Sequence, residues 1–242
     1  MNLPQPLHEG IFLRRLNRFA AEVRVGRTVQ RVHVPNSGRL GELLYPGARV
    51  LSHPVTRPAR STSHDLLLAH HHGALVSVDS RAPAAIAAEA FLGPGVPPLL
   101  RADEVRTEVP FGRSRIDLCV RSGGEEWVVE VKGCTLVREQ TAIFPDAPTA
   151  RGRRHVEELT ALAAGGGRAM VLFIIQRRDA RRFQPNTETD PAFARALAEA
   201  AEVGVIVRAH TCRVTTKEIV LGRSVPVEVG GRTVPRSTDP CA

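Results

Sequence analysis

The chain of 242 residues has few cysteines, few aromatic side chains and no long apolar run. Its four cysteines are scattered without a CxxC pair, which argues against a disulfide framework and a structural zinc site. The longest apolar run, around residues 170–175, is far shorter than the ~20 residues that a membrane helix needs. Residues 1–10 contain Pro4 and Pro6 and no apolar stretch, so no signal peptide is predicted. We expect a cytoplasmic protein that has no membrane partner.

Positive charge is in clear excess. The 33 basic residues outnumber the 25 acidic ones, which gives a formal charge of +8 and attracts the chain to polyanions. Residues 1–80 contain ten arginines and five acids, so the excess is already present in the first third. The composition predicts nucleic acid as the partner, with DNA favoured over RNA; a merely solvated arginine-rich surface is the alternative. The oligomeric state stays open, with a homodimer as one option.

Aromatic residues make up only 4% of the chain, and a platform that stacks the bases of single strands usually needs more rings. Tyr45 is the one candidate stacking residue of the first domain, and its place beside Pro46 and Gly47 favours a turn. We therefore expect contact through the phosphate backbone, mostly without sequence preference.

The first 80 residues read as short strands separated by turns. The turns are expected at residues 35–38, 46–47 and 72–73. Such spacing predicts a small antiparallel β-barrel over residues 1–80, for which an OB-like arrangement is one option. The expected strands are residues 18–25, 29–34, 49–53, 66–70 and 75–78.

The rest of the chain alternates between strands and helices. Helices are expected at residues 81–92, at 149–164, and from the Asp190 cap through Pro191 to Gly204. This order predicts an α/β (α+β) domain over residues 81–222 with helices on the faces of a mixed sheet. Residues 223–242 are expected to form either an extra hairpin or a loose, extended tail. The expected strands are residues 105–111, 113–121, 126–132, 168–176 and 205–214.

One predicted hairpin gathers the chemistry. Gly123-Gly124 suits a two-residue turn, which sets Ser122 opposite Glu125 and Asp117 opposite Glu130. Side chains alternate along a strand, so Glu130 and Lys132 should share a face with Asp117. The opposite face is predicted to be apolar and to consist of Ile116, Leu118, Val120, Trp127, Val129 and Val131.

Two carboxylates on facing strands repel each other unless something compensates them. A divalent cation does so, and oxygen ligands suit Mg²⁺ or Mn²⁺; the backbone carbonyl of Val131 is a further candidate ligand. Lys132, one of only two lysines among the 33 basic residues, would act on the attacking water or on the phosphate. The alternative is a salt-bridged sheet face on which Arg115 neutralises Asp117 and Glu130 without any metal.

The arrangement of Asp117 followed by Glu130-Val131-Lys132 resembles the PD-(D/E)xK nuclease superfamily. The surrounding residues resemble the sugar fermentation stimulation protein family in more detail, and the matching blocks follow one another in the right order. These blocks are Val34-Pro-Asn-Ser-Gly38, Ser114-Arg-Ile-Asp117, Glu130-Val-Lys-Gly-Cys-Thr-Leu136, Phe144-Pro-Asp-Ala147 and Arg151-Gly-x-x-His155.

The resemblance implies an OB-fold followed by a restriction-endonuclease-like domain, in a DNA-binding protein linked to regulation of sugar (maltose) fermentation. The nuclease site is implied only through the superfamily, and Ile116 stands where a proline usually precedes the first acid. The superfamily often adds another acid to the metal site, for which Glu89 and Glu108 are the candidates. The open alternatives are a non-enzymatic DNA-binding regulator with a vestigial site and an RNA-directed nuclease.

Several residues are candidates for contact with nucleic acid. Arg151, Arg154, His155 and Glu158 should share one face of the helix at 149–164, which either meets phosphates or faces water. The loop at 36–38 either donates hydrogen bonds to a phosphate or is a structural turn. The full candidate set is Arg14, Arg15, Arg18, Asn36, Ser37, Arg39, Arg115, Arg151, Arg154 and His155.

Overall fold

A computed structural model describes residues 1–56, 60–112 and 114–236. The first domain is a barrel whose strands pair in the order β1-β2-β3-β5-β4 and close from β4 back to β1. The β3–β5 pair is parallel and the other pairs are antiparallel, which is the arrangement of an OB-fold. The strands are β1 (His8–Asn17), β2 (Ala20–Val25), β3 (Thr28–His33), β4 (Arg49–Pro54), β5 (His64–His71) and β6 (Ala74–Ser77).

Strand β1 was not predicted, and residues 18–25 are not one strand. Arg18 and Phe19 form the turn between β1 and β2 instead. Gly10 weakens the strand signal of β1, yet it is required there, because an added Cβ would lie 2.6 Å from Val23 Cγ1. The barrel core is apolar throughout and includes Phe12, Val23 and Leu66.

The second domain contains a six-stranded mixed sheet in the order β15-β14-β12-β9-β8-β7. Strand β12 runs parallel to β9 and β14, whereas β7, β8 and β9 form an antiparallel meander. These strands are β7 (Glu104–Phe111), β8 (Ser114–Ser122), β9 (Glu125–Cys134), β12 (Arg168–Ile175), β14 (Ile206–Val214) and β15 (Ile219–Val225). Arg113, predicted to start β8, lies outside the described residues.

Helix α1 (Ala82–Leu92) covers one face of this sheet, and α2 (Ala150–Ala164) and α3 (Pro191–Val203) cover the other. Helix α3 begins where predicted, because Asp190 accepts a hydrogen bond from the Phe193 N–H at 2.9 Å. It ends at Gly204, which adopts φ +108°. Thr149 caps α2 in the same way.

A second, smaller sheet was not predicted. It combines β10 (Val137–Arg138), β11 (Thr141–Phe144), β13 (Arg182–Pro185), β16 (Val227–Val229) and β17 (Arg232–Val234). Of the two alternatives for the chain end, the hairpin is therefore the one that forms, in β16 and β17, and a loose tail from residue 223 is wrong for the described part. Residues 237–242 lie outside the described residues.

Over the described ranges, none of the helices combines the length and apolar content required to cross a membrane. Cys119, Cys134 and Cys212 are buried free thiols. Cys241 lies outside the described residues.

Candidate functional site

The hairpin of β8 and β9 has the predicted register. Ser122 pairs with Glu125 around the two glycines, and the ladder continues to Leu118 and Val129. The ladder ends before Asp117, where the Asp117 side chain, rather than its backbone, bonds to β9. Asp117 Oδ2 accepts a hydrogen bond from the Val131 N–H at 2.8 Å, which places its carboxylate next to Glu130.

Strand β8 changes sides at Asp117. Leu118 packs in the cluster that contains α1, whereas Ile116 packs with Val156 and Leu159 of α2 on the other side of the sheet. The predicted apolar face is therefore wrong at Ile116. The ladder between β7 and β8 also lacks the pair of Glu108 and Asp117. Glu108 adopts a left-handed φ of +50° at this point.

Glu130 is the most buried charged residue of the site, with 2% of its surface exposed. Its Oε1 accepts a hydrogen bond from Lys132 Nζ at 2.5 Å and another from His155 Nδ1, also at 2.5 Å. Its Oε2 is buried and has no hydrogen-bond partner among the described residues. A buried carboxylate oxygen without a partner is costly, so this atom is suited to a ligand such as a cation.

The surroundings of Asp117 disfavour the charged form of its carboxyl group. Its burial and the neighbouring charge of Glu130 raise the pKa of this carboxyl above its ordinary value. The Val131 N–H, Lys132 and His155 only partly offset that rise. A positive ion between the two acids would reverse the effect, as expected for a pair of metal ligands.

A cleft of about 200 Å³ opens over these groups. Its far wall is the first turn of α2, where Thr149, Arg151 and Gly152 lie. Unpaired N–H groups and the helix dipole make such an N-terminus favourable for a phosphate. The cleft is lined by Asp117, Glu130, Val131, Lys132, Thr149, Arg151, Gly152 and His155.

The donor set fits a hard divalent cation with an incomplete protein shell. Among the residues that the structure describes, no three His, Cys, Asp or Glu side chains converge as a ready-made metal cluster. Asp117 and Glu130 would thus be the two carboxylate ligands, and the carbonyl of Val131 stays a proposed third. Mg²⁺ is commonly bound by one or two carboxylates, with water and substrate phosphate filling the other positions.

Of the two candidate additional acids, Glu89 is in the wrong place. It lies on α1, on the opposite side of the sheet, and its carboxylate pairs with the amino group of Met1. Glu108 lies on β7 across from Asp117, is largely exposed and pairs with Arg115 at 3.4 Å. Arg115 therefore does not neutralise the two acids in the manner of the salt-bridge alternative; Lys132 and His155 contact Glu130 instead.

Two residues predicted to contact nucleic acid are engaged by other groups of the protein. Arg15 is a structural clamp, because its guanidinium donates to the carbonyls of Arg18, Asn36, Gly38 and Arg39. His155 is only 4% exposed and faces Glu130 rather than the polar face of α2. The three- and four-residue spacing along α2 did not predict the contact of His155 with Glu130, because that contact depends on tertiary packing.

Asn36 is half-buried, and its side-chain amide donates to the Val78 carbonyl and accepts from the Gly38 N–H. The remaining candidates are exposed, in different surroundings. Arg14 pairs with Glu22 at 2.8 Å on the barrel surface. Arg39 and Arg154 are exposed, and Arg151 lines the cleft over the acids.

A second cleft, of about 320 Å³, lies between the two domains. Arg18, Asn36 and Ser37 line its barrel side, and residues 143–149 line the other. The two walls touch where the Arg39 N–H donates to Asp146 Oδ2 at 2.8 Å. Thr149 lines both clefts, so the interdomain cleft borders the cleft over the buried acids at this residue.

Comparison with known proteins agrees with this two-domain description. Residues 13–78 match the family described as the SfsA N-terminal OB domain, and residues 81–218 match the sugar fermentation stimulation protein RE domain. A sugar fermentation stimulation protein homolog of Alkaliphilus metalliredigens is 45% identical over 90% of this chain and 95% of its own length. The homolog of Acetivibrio thermocellus is 42% identical over 94% of this chain and 99% of its own length.

A solved structure is similar over almost the whole chain. It is described as the structure of Pyrococcus furiosus SfsA in complex with Ca²⁺, and it superposes with a TM-score of 0.86 at 33% identity. The match covers 95% of this chain and 98% of that one. On sequence and on structure alike, the chain belongs to the sugar fermentation stimulation protein family.

Proposed function

We propose that the protein binds DNA, largely without sequence preference, and hydrolyses phosphodiester bonds with Mg²⁺ or Mn²⁺ at Asp117, Glu130 and Lys132. One observation supports this most directly. Glu130 is buried in the cleft wall, with Oε1 held by Lys132 and His155 and Oε2 left without a partner among the described residues. A carboxylate with one oxygen held by hydrogen bonds and the other without a partner is suited to bind a cation.

The residues of the chain have distinct roles in the proposed reaction. A divalent cation bound there would supply Lewis acidity and neutralise charge on the phosphate. Asp117 and Glu130 would hold that cation, and His155 would fix the orientation of Glu130. Lys132, whose side chain is 12% exposed, would stabilise the charge that develops on the phosphate.

The surroundings support a phosphate as the substrate group. The N-terminus of α2 and the exposed Arg151 both border the cleft, and both favour an anion. The relative from Pyrococcus furiosus is described in complex with Ca²⁺, a hard cation that prefers oxygen ligands. This description supports a cation in the present chain as well.

A cleavage assay with matched variants tests the proposal. Single-stranded and duplex DNA would be incubated with Mg²⁺, Mn²⁺ or chelator, using wild type, Asp117→Asn, Glu130→Gln and Lys132→Ala. We expect each variant to lose about 10²–10³-fold in rate, as for removal of a group that stabilises the transition state. Lys217→Ala removes the only other lysine, which is exposed, and should keep full activity. Equal rates in all five proteins would defeat the proposal.

A second candidate is a non-enzymatic DNA-binding regulator with a vestigial site. The family description supports it, because that description refers to stimulation of sugar fermentation. It predicts DNA binding that falls steeply with salt, is insensitive to chelator, and is never followed by cleavage. Competition between DNA and RNA would separate either candidate from an RNA-directed nuclease.

A further inference from the structure

Phe19 is an exposed aromatic residue in the turn between β1 and β2. Half of its surface, 49%, is accessible, and its ring stacks on that of His33 with centroids 6.4 Å apart and planes inclined by 29°. Half of the Phe19 surface is therefore accessible to a ligand, beside a second ring that lies at a small angle to it. Such a ring suits a flat, apolar ligand group.

The backbone of Phe19 is fixed from three directions. Its N–H donates to Asn17 Oδ1 at 2.8 Å, and its carbonyl accepts from the Val34 N–H at 2.9 Å and from His33 Nδ1 at 3.0 Å. A backbone that is held in this way loses little conformational freedom when a ligand stacks on the side chain that it carries.

The position of the pair within the barrel indicates the ligand. OB-folds bind oligonucleotides on the face of strands 2 and 3 and on the loop between strands 1 and 2. Phe19 lies in that loop and His33 at the end of β3. The exposed Arg24 and Arg31 lie on the same two strands and supply positive charge for a phosphate backbone.

Phe19 of the aromatic pair is also adjacent in sequence to a residue that lines the interdomain cleft. Arg18, the neighbour of Phe19, lines the interdomain cleft, and Thr149 lines both this cleft and the one over Glu130 and Lys132. The interdomain cleft has about 320 Å³, at the lower end of the ~300–1,000 Å³ typical of small-ligand pockets. A single nucleotide suits a space of this size, whereas a duplex, wider than its ~12 Å major groove, does not.

We propose that Phe19 and His33 form a base-stacking platform for single-stranded DNA, and that Arg18 directs the strand from this platform into the interdomain cleft. The proposal rests on the proposed function in taking DNA as the partner, and it adds the strandedness and the binding residues. It also revises the expectation, based on the scarcity of aromatic residues, that contact is made through charge alone.

The test measures binding in chelator, so that cleavage does not interfere. A labelled oligothymidylate of about 20 nucleotides exceeds the ~4–16-nucleotide site of one OB-fold. Anisotropy titrations would compare it with a duplex of equal length. We expect wild type to prefer the single strand, Phe19→Ala to weaken that binding about tenfold, and Phe19→Trp to retain it, while duplex binding changes less than about twofold.

Tyr45→Ala is the matched control, because Tyr45 is an equally exposed aromatic residue, at 48%, of the same domain. It should bind like wild type. Phe19→Leu keeps an apolar side chain without a ring and should behave like Phe19→Ala, which separates stacking from folding defects. The proposal is overturned if Phe19→Ala binds normally, if Tyr45→Ala loses as much, or if wild type prefers the duplex.

The outcomes distinguish this proposal from the proposed cleavage. A protein that binds single strands through Phe19 but never cleaves them with Mg²⁺ or Mn²⁺ would refute the nuclease and leave the platform intact. A protein that cleaves DNA but binds it equally well without the Phe19 ring would refute the platform alone.

Discussion

His155 Nδ1 lies 2.5 Å from Glu130 Oε1, and this contact joins helix α2 to the central strand β9 inside the candidate site. Both side chains are almost completely buried. The contact orients Glu130, so that Oε1 is engaged and Oε2 stays available for a ligand. The histidine therefore acts through the carboxylate and would be a positioning residue rather than a catalytic one.

Replacing His155 by Ala should weaken both cation binding and folding. Loss of an outer partner of a metal ligand typically costs 10–100-fold in metal affinity, and we expect a loss in that range for Mn²⁺. The free energy of unfolding should fall by about 1–3 kcal/mol, because Glu130 loses a buried hydrogen bond. Mn²⁺ titration calorimetry and thermal unfolding measure the two effects.

The control is His72→Asn, which changes an exposed histidine in the turn after β5, at φ +45°, where asparagine is tolerated. It should leave both quantities unchanged. Unaltered Mn²⁺ affinity in His155→Ala would show that the contact only supports the fold.

Replacing Asp117 by Asn should stabilise the protein when no cation is present. Burial and Glu130 raise the pKa of Asp117 in the folded chain. The folded chain then binds more protons than the unfolded chain, so the free energy of unfolding falls as pH rises through the interval above the ordinary value of 3.8. At neutral pH the Asp117 carboxyl therefore lowers the stability of the folded chain, and asparagine removes that cost.

We expect Asp117→Asn to raise the Tm by about 2–4 °C at pH 7 in chelator, equivalent to about 1 kcal/mol. Saturating Mn²⁺ should reverse the order, because the cation stabilises wild type by mass action and not the variant. The difference in chelator should vanish near pH 3, where wild-type Asp117 is protonated in both states. A variant that is less stable than wild type in chelator at pH 7 would contradict this account.

The sequence predicted those parts of the site that depend on local geometry. The turn Gly123-Gly124 sets the register of β8 and β9, and Asp190 and Gly204 set the ends of α3. The change of side at Ile116 was missed, because it accompanies a left-handed Glu108, and a glutamate carries no signal for that conformation. The contact between Glu130 and His155 depends on tertiary packing across 25 residues, which helix periodicity does not report.

The small sheet was missed for a similar reason. Its strands are two to four residues long and come from three separate parts of the chain. Runs this short have no measurable alternation of apolar and polar residues. Phe19 was missed because it looks like part of a strand in the sequence, whereas the structure places it in the turn between β1 and β2.

Replacing Gly38 by Ala should disturb the contact between the two domains at Asp146. An added Cβ would lie 2.5 Å from Asp146 Oδ2, the atom that accepts the Arg39 N–H. Either the loop or the carboxylate must move, and we expect a loss of about 1–3 kcal/mol in unfolding free energy, as in other overpacked sites. Chemical denaturation measures the loss.

Gly41→Ala is the control, because nothing lies within 4 Å of its added Cβ. In the Asp146→Ala background the cost of Gly38→Ala should largely disappear, since the clashing oxygen is gone. The same cost in both backgrounds would mean that the strain arises elsewhere in the loop.

Replacing Asp65 by Asn should lower the free energy of unfolding by an amount that depends on pH. Asp65 is buried on β5 and pairs with Arg60 and with Arg81, which immediately precedes α1, so it joins the two domains. Burial by itself would raise the pKa of Asp65, but the hydrogen bonds and charges of the two arginines outweigh it and hold the pKa below the ordinary value of 3.8. A depressed folded-state pKa gives stability that is present above 3.8 and lost as pH falls through the folded value.

We therefore expect Asp65→Asn to lose about 1.5–3 kcal/mol at pH 7, the range for hydrogen bonds to charged groups. The difference in unfolding free energy between the variant and wild type should narrow below about pH 4, because the wild-type carboxylate is then protonated. Glu9→Gln breaks an exposed pair with Arg49 instead and should cost at most about 1 kcal/mol. Because desolvation opposes the arginines at Asp65, the sign of the pH dependence is the decisive measurement: a difference that widens on acidification would mean that burial, and not the arginine pair, controls this carboxyl.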